Sequence, residues 1–273
     1  MKTIIVASDF SIVSNDATRY ALDAAKVLKA RVVLFHLHLV SVHVSNARLS
    51  PQALQSSMDQ NRNMVVERAS KLSEEYGVEI IAEWRTGEFY EEMTKVINTY
   101  NADVLVMGMA EKSIEQDLLG NTTTAAINKL KFPILAVPNG ARFEGVKKIL
   151  FACDIVRGVQ GKILQEVRKV ALLFGAEVVI FHVSEKMKSI AEQELPSHLV
   201  HAFGDGLDGI IYSYKNVASN AVISAIESEI NQIEADMVIM VPYKYGFWGS
   251  LVHKSKTRAM ASGNSKPLLS IPI

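Results

Sequence analysis

Residues 102–138 read ADVLVMGMAEKSIEQDLLGNTTTAAINKLKFPILAVP. This stretch divides into a strand (ADVLVMG, 102–108), an irregular loop (109–120), a Thr-rich helix beginning just after Gly120, and a second strand ending in PILAVP. Gly108 ends the first strand, where a missing side chain lets another backbone or a ligand come close. The helix start leaves N–H groups without intrahelical partners, at the positive end of the helix dipole. A strand end, a glycine and a helix start together predict an anion site, with phosphate the leading ligand.

The rest of the first half fits around that stretch. TIIVAS (3–8) is apolar and β-branched without alternation, as in a parallel strand covered on both faces. A helix is expected over about 15–29, with Ala17, Ala21, Leu22, Ala25 and Leu28 on one face. RVVLFHLH (31–38) is a second strand. A long helix is expected over 51–76, with Gly77 as its C-cap. Val78–Trp84 is a third strand, and a helix follows Gly87 to about Tyr100. Strands alternating with helices predict a right-handed, doubly wound α/β sheet.

The pattern then repeats. KTIIVASDF (2–10) resembles KKILFACDI (147–155), and RVVLFHLH (31–38) resembles EVVIFHVS (177–184). ADVLVMG (102–108) matches ADMVIMV (235–241), and PILAVP (133–138) matches PLLSIP (267–272). Two tandem copies of one domain account for this, at 1–142 and 143–273. The segment NGARFEG (139–145) reads as a short polar hinge, short enough that the copies should pack on each other. Between its second and third strands the second copy has a Gly-rich stretch, 203–209, expected to be mobile or to cover an edge.

Composition limits the function. Lys+Arg and Asp+Glu both number 29 in 273 residues, so no global field favours nucleic acid or an acidic membrane. The basic residues are dispersed, which gives no nucleic-acid footprint. No apolar run reaches membrane-spanning length, and MKTIIVASDF is too short and too polar for a signal sequence. One cysteine, Cys153, excludes an intrachain disulfide and suits a reducing cytoplasm. The expectation is a cytoplasmic protein without membrane association.

The Asp9 that closes the first strand, the ADVLVMG strand, the glycine before a Thr-rich helix and the PILAVP strand resemble the universal stress protein family. The resemblance covers both halves. It implies two tandem doubly wound five-stranded parallel sheets of order 3-2-1-4-5, and a stress-response or signalling module rather than an enzyme. It also implies an adenine nucleotide, ATP or AMP, in the first domain alone, with magnesium only as the nucleotide carries it. In that strand order the loops after Asp9 and Gly108 flank one crevice at the topological switch point. By resemblance Asp9, with Phe10 and Ser11, stands at the ribose or adenine end. Gly108 allows close approach, and Gly120, Asn121, Thr122 and Thr123 meet the phosphates. Family members commonly dimerise through the fifth strand, and a tandem chain could form that pair internally. A homodimer and an unidentified protein partner are left open.

The binding members of the family carry Gly, two residues, Gly, nine residues, Gly, then Ser or Thr. Here Gly108 matches, Glu111 replaces the second glycine, and the interval before Gly120 is eight residues. Asn121 takes the final position. Glu111, Glu115 and Asp117 against Lys112 make the loop acidic, which repels phosphate by about 1 kcal/mol per exposed pair at about 4 Å. Asn121 to Thr124 oppose this with donors at a helix start. The second copy departs further, with Val241 and Pro242 in place of Gly108 and Met109, and His253 at the Gly120 position. Its loop, YKYGFWGS (243–250), is aromatic and basic, and reads either as a stacking surface or as packing between domains.

Other candidates are weaker. His36 and His38 lie on one strand face with His43 beyond, and His182 echoes His36. Strand-end histidines satisfied by backbone explain them better than a metal. Cys153 reads as a small buried hydrophobe rather than a redox centre. No GxxxxGK[ST] loop, GxGxxG or GxSxG occurs, and no catalytic constellation is visible. The rival to a nucleotide-binding module is a ligand-free protein-interaction scaffold with both nucleotide loops degenerate. A slow nucleotide hydrolase is a third reading, with no general base identified.

Overall fold

The structure is a computed structural model and describes residues 2–38, 51–109, 122–155, 159–184, 203–242 and 266–272. Each apolar run of the sequence becomes a strand. In the first half these are β1 (Thr3–Ala7), β2 (Arg31–His38), β3 (Ile80–Thr86), β4 (Val104–Met109) and β5 (Ile134–Pro138). In the second they are β6 (Lys148–Ala152), β7 (Glu177–Ser184), β8 (Tyr212–Ala218), β9 (Met237–Met240) and β10 (Leu268–Ser270). The helices are α1 (Ile12–Leu28), α2 (Pro51–Tyr76), α3 (Phe89–Tyr100), α4 (Thr122–Lys129), α5 (Gly161–Phe174) and α6 (Val222–Gln232).

The strands form a ten-stranded sheet in the order β3-β2-β1-β4-β5-β10-β9-β6-β7-β8. Each half therefore has the 3-2-1-4-5 order, all parallel, and the two five-stranded sheets are joined edge to edge. The joint is antiparallel, with Ile134 opposite Ser270, Leu135 opposite Leu269, and Ala136 opposite Leu268. In the repeat, Leu135 corresponds to Leu269, Ala136 to Ser270 and Ile134 to Leu268. The register is thus self-complementary, and a pseudo-two-fold axis passes through the Leu135–Leu269 pair.

Both faces of the sheet are covered, which is why the inner strands carry no polar alternation. One face packs against α1, α2 and α5 through Tyr20, Leu72 and Val167. The other packs against α3, α4 and α6 through Met93, Ile127 and Ile226. The segment 139–145 is less of a free hinge than its polarity suggests. The Gly140 N–H donates to buried Asp16 of α1 at 2.9 Å. Phe143 packs edge-on to Tyr20 of α1, with centroids 5.3 Å apart, and also meets Phe174 of α5 at 6.0 Å.

Three local expectations change. Helix α1 starts at Ile12, not near Asn15, because Ser11 caps it and accepts from the Ser14 N–H at 3.2 Å. Strand β3 begins at Ile80, two residues later than expected. The stretch 203–209 is packed rather than loose. It opens with a helical turn at 203–206, and Phe203 and Leu207, four apart and so on one side, are fully buried. Gly206 lies so close to α5 that an added Cβ would stand 2.7 Å from the Leu164 side chain. The glycine is a packing requirement there, not a source of slack.

Candidate functional site

The strand order places the C-terminal ends of β1 and β4 side by side, Val6 being registered with Val106. The loop after β1 is stiff. Phe10 adopts a left-handed φ of 63°. The Ser11 N–H donates to Asp9 Oδ1 at 3.0 Å, and the Phe10 N–H to Ser8 Oγ at 3.2 Å. Ser8 Oγ lies 3.3 Å from Ser14 Oγ, and Asn15 Nδ2 donates to the Phe10 carbonyl at 3.1 Å. Burial pushes the Asp9 carboxyl up, but hydrogen bonds from the Ser11 and Ser14 hydroxyls and the Ser11 N–H outweigh it. They hold the group below the usual carboxylate range. Asp9 is therefore an ionised acceptor at neutral pH.

Gly108 is bare for a reason that the sequence does not display. A Cβ there would stand 2.7 Å from the Val13 carbonyl oxygen and 2.7 Å from Val13 Cγ1. The first turn of α1 fills that space, so the close approach at Gly108 is made by a helix. On the carbonyl side, the buried Thr123 hydroxyl donates to the Gly108 oxygen at 2.8 Å and so pins the first turn of α4. Two helix N-termini thus converge on the end of β4. Thr122 is exposed beside them. Thr124 Oγ1 is buried and, among the described residues, has no hydrogen-bond partner.

Asp9, Phe10, Ser11, Gly108, Thr122 and Thr123 accordingly gather at the C-terminal ends of β1 and β4. Gly120 and Asn121 lie outside the described residues, as do Glu111, Lys112, Glu115 and Asp117 of the acidic loop. The same holds for His43, for the aromatic-basic loop 243–250, and for His253 and Lys254. Sequence reasoning missed Ser8, Val13 and Ser14 in the crevice. The Ser11-x-x-Ser14 spacing was the available signal, since it places a cap hydroxyl over the first turn.

His36 and His182 meet backbone carbonyls, as expected, whereas His38 stacks on Trp84 with centroids 6.1 Å apart. His36 Nδ1 lies 2.8 Å from the Ser8 carbonyl oxygen, and its ring stacks on Phe10 at 4.7 Å between centroids. His182 repeats the arrangement in the second half, with Nδ1 3.2 Å from the Cys153 carbonyl oxygen. No group of three metal-ligating side chains occurs among the described residues. No described helix is long and apolar enough to cross a membrane. Cys153 is buried, and desolvation, with the Asp154 charge adding to it, pushes its thiol far above the usual range. Iodoacetamide at pH 8 should alkylate Cys153 more than about tenfold faster in urea than in the native protein, as read by mass spectrometry.

Among the described residues, the second half departs from this geometry at three places. Val241, buried, occupies the Gly108 position. Helix α5 begins at Gly161, four residues later in the repeat register than α1, since 157 corresponds to Ile12. Ile155 replaces Phe10, so the ring stacked on the histidine is also lost.

Comparison with known proteins agrees with this fold. The universal stress protein family model matches residues 1–138. A universal stress protein of Methanocaldococcus jannaschii is 29% identical over 138 residues, which is 50% of this chain and 81% of that protein. The solved structure of a universal stress protein from Archaeoglobus fulgidus superposes with a TM-score of 0.69 at 18% identity, over 99% of this chain and 96% of the other. A functionally unknown protein from Pseudomonas aeruginosa superposes with a TM-score of 0.55 at 13% identity, over 100% and 92%. The structural likenesses are of fold alone, but the family match spans half the sequence and includes β1, β4 and α4, so the chain belongs to the universal stress protein family.

Proposed function

We infer that the chain is a non-catalytic, cytoplasmic stress-response module that holds an adenine nucleotide, ATP or AMP, in its first half only. The observation that supports this is the convergence of the α1 and α4 N-termini on the end of β4, beside an ionised Asp9. Helix N-termini offer N–H donors and positive potential to phosphate. An ionised carboxylate accepts from ribose hydroxyls or an adenine amine. In this reading Asp9, Phe10 and Ser11 form the nucleoside end. Gly120, Asn121, Thr122 and Thr123 form the phosphate end. Magnesium would enter with the nucleotide.

In this reading the two domains are 1–142 and 143–273, and the antiparallel β5–β10 joint supports an internal counterpart of a family dimer. The second domain is the scaffold of the pair, because Val241 fills the glycine position and α5 starts late. An unidentified protein partner, or a further copy of the chain, would meet that scaffold.

The test is direct. Protein purified without added nucleotide is denatured, and the supernatant is run on an ion exchanger. Released AMP or ATP is expected, together with a higher melting temperature in millimolar ATP. Occupancy at 100 times the dissociation constant adds about 2.7 kcal/mol. Asp9→Ala should reduce the shift. Neither a released nucleotide nor a thermal shift would leave the ligand-free scaffold as the function.

A further inference from the structure

Among the described residues, Phe10, Lys29, Asn101 and Glu234 are the non-glycine residues with a positive φ. The last three follow α1, α3 and α6, where a left-handed residue ordinarily ends a helix. Phe10, at 63°, instead precedes a helix. A bulky residue keeps that backbone only where its surroundings over-determine it, and such strain gathers at functional sites. At the Phe10 position of the second half, Ile155 has no positive φ. The strain therefore belongs to the copy that also keeps Gly108.

The turn is held from β2, α1 and α2. The Phe10 N–H donates to Ser8 Oγ at 3.2 Å, and the Phe10 ring stacks on His36 of β2. The Phe10 carbonyl accepts from Asn15 Nδ2 of α1 at 3.1 Å. Asn15 is fixed in its turn by Arg68 of α2, whose Nη2 donates to Asn15 Oδ1 at 3.4 Å. A guanidinium has donors only, so Oδ1 must face Arg68 and Nδ2 is left for the Phe10 carbonyl. Arg68 is half-buried and, among the described residues, has no ion pair.

We propose that Arg68 and Asn15 are positioning residues for the nucleoside end of the crevice, a role that rests on the nucleotide reading above. By holding Phe10 left-handed they fix Asp9 before the turn and Ser11 after it. The Asp9 carboxylate is then in place before a ligand arrives, and binding is spared the cost of ordering the loop. Neither side chain touches the ligand. Arg68 acts through Asn15, and Asn15 acts through the Phe10 carbonyl.

Isothermal titration of the full chain with ATP, and with adenosine as a nucleoside without phosphates, tests the proposal. Arg68→Met keeps an unbranched stem, and Asn15→Asp keeps the acceptor while losing the donor. Each should weaken both ligands about two- to tenfold, the range of one lost hydrogen bond. Arg68→Lys keeps a donor and should lie nearer the parent. Without ligand, the His36 ring protons should shift toward an unstacked imidazole in both variants, read by NMR, because the Phe10 ring leaves with the turn. A role in stability alone does not produce this pattern, since Asn15→Asp gains a charge opposite Arg68. Unmoved His36 resonances in both variants, or parental affinities in both, would overturn the proposal. So would weakened ATP with unchanged adenosine, because Arg68 would then act on phosphate as a charge. A parent protein that binds neither ligand overturns the nucleotide reading and this role with it. A parent that binds while its variants match it overturns this role alone.

Discussion

Replacing Phe203 by alanine is expected to lower the unfolding free energy by about 3–5 kcal/mol, the cost of deleting a fully buried aromatic ring. Phe203 is 0% exposed and sits in the same core as Val167, Val178 and Leu164. The surrounding stretch, FGDGLDG (203–209), has three glycines and two aspartates, a composition that ordinarily marks a mobile loop. A mobile loop would lose almost nothing on truncation of one side chain, within about ±0.5 kcal/mol. Urea denaturation followed by circular dichroism separates the two outcomes by several-fold. Gly206 makes the packing tight as well as apolar, because the backbone lies against Leu164. A midpoint unchanged from the parent protein would show that this stretch does not pack on α5.

The second large effect is expected at Gly108. Gly108→Val places a branched side chain where the Val13 carbonyl oxygen would be only 2.7 Å from its Cβ. Backbone cannot yield as a flexible side chain can, so α1 must move or β4 must bend. Overpacking of this kind costs about 1–3 kcal/mol, occasionally more. The displacement falls on the turn that follows Asp9, Phe10 and Ser11, so any thermal shift produced by ATP should disappear along with the stability. The comparison variant is Val241→Ala, at the equivalent place in the second half. There a valine is already accommodated, and its truncation removes buried apolar surface without touching the first-half crevice. A Gly108→Val protein as stable as its parent would mean that α1 does not press on β4.

These two sites show what the sequence could and could not disclose. The strands were legible because buried parallel strands are written as unbroken apolar runs, and the 3-2-1-4-5 order followed from the resemblance those runs carry. His36 and His182 were legible because the repeat placed them at one position in two copies. Glycine was ambiguous. At 108 and 206 it marks close packing of a helix, whereas at 77, with a φ of 65° after α2, it marks the expected helix stop. Only the fold distinguishes these uses, because the contacting residue is remote or belongs to another element. The α1 start was misplaced because Ile12, 77% exposed, breaks the amphipathic pattern that locates a helix by its buried face. Phe143 was passed over inside a polar linker. Its partners, Tyr20 and Phe174, are brought to it by the joining of two halves whose fifth strands are far apart in sequence.

The β5–β10 joint frees the chain from a restriction that binds any identical pair. In a self-pairing edge centred on one leucine, each substitution is made twice, once on either side of the axis. A hydroxyl placed at the Ala136 position would then face both ends of the joint at once. Here the counterpart of Ala136 is Ser270, nearly fully buried opposite Ile134, while Ala136 itself remains apolar opposite Leu268. Covalent linkage has allowed a single-sided change at the centre of the sheet. It likewise lets one half lose a glycine at its strand end while the other half keeps it.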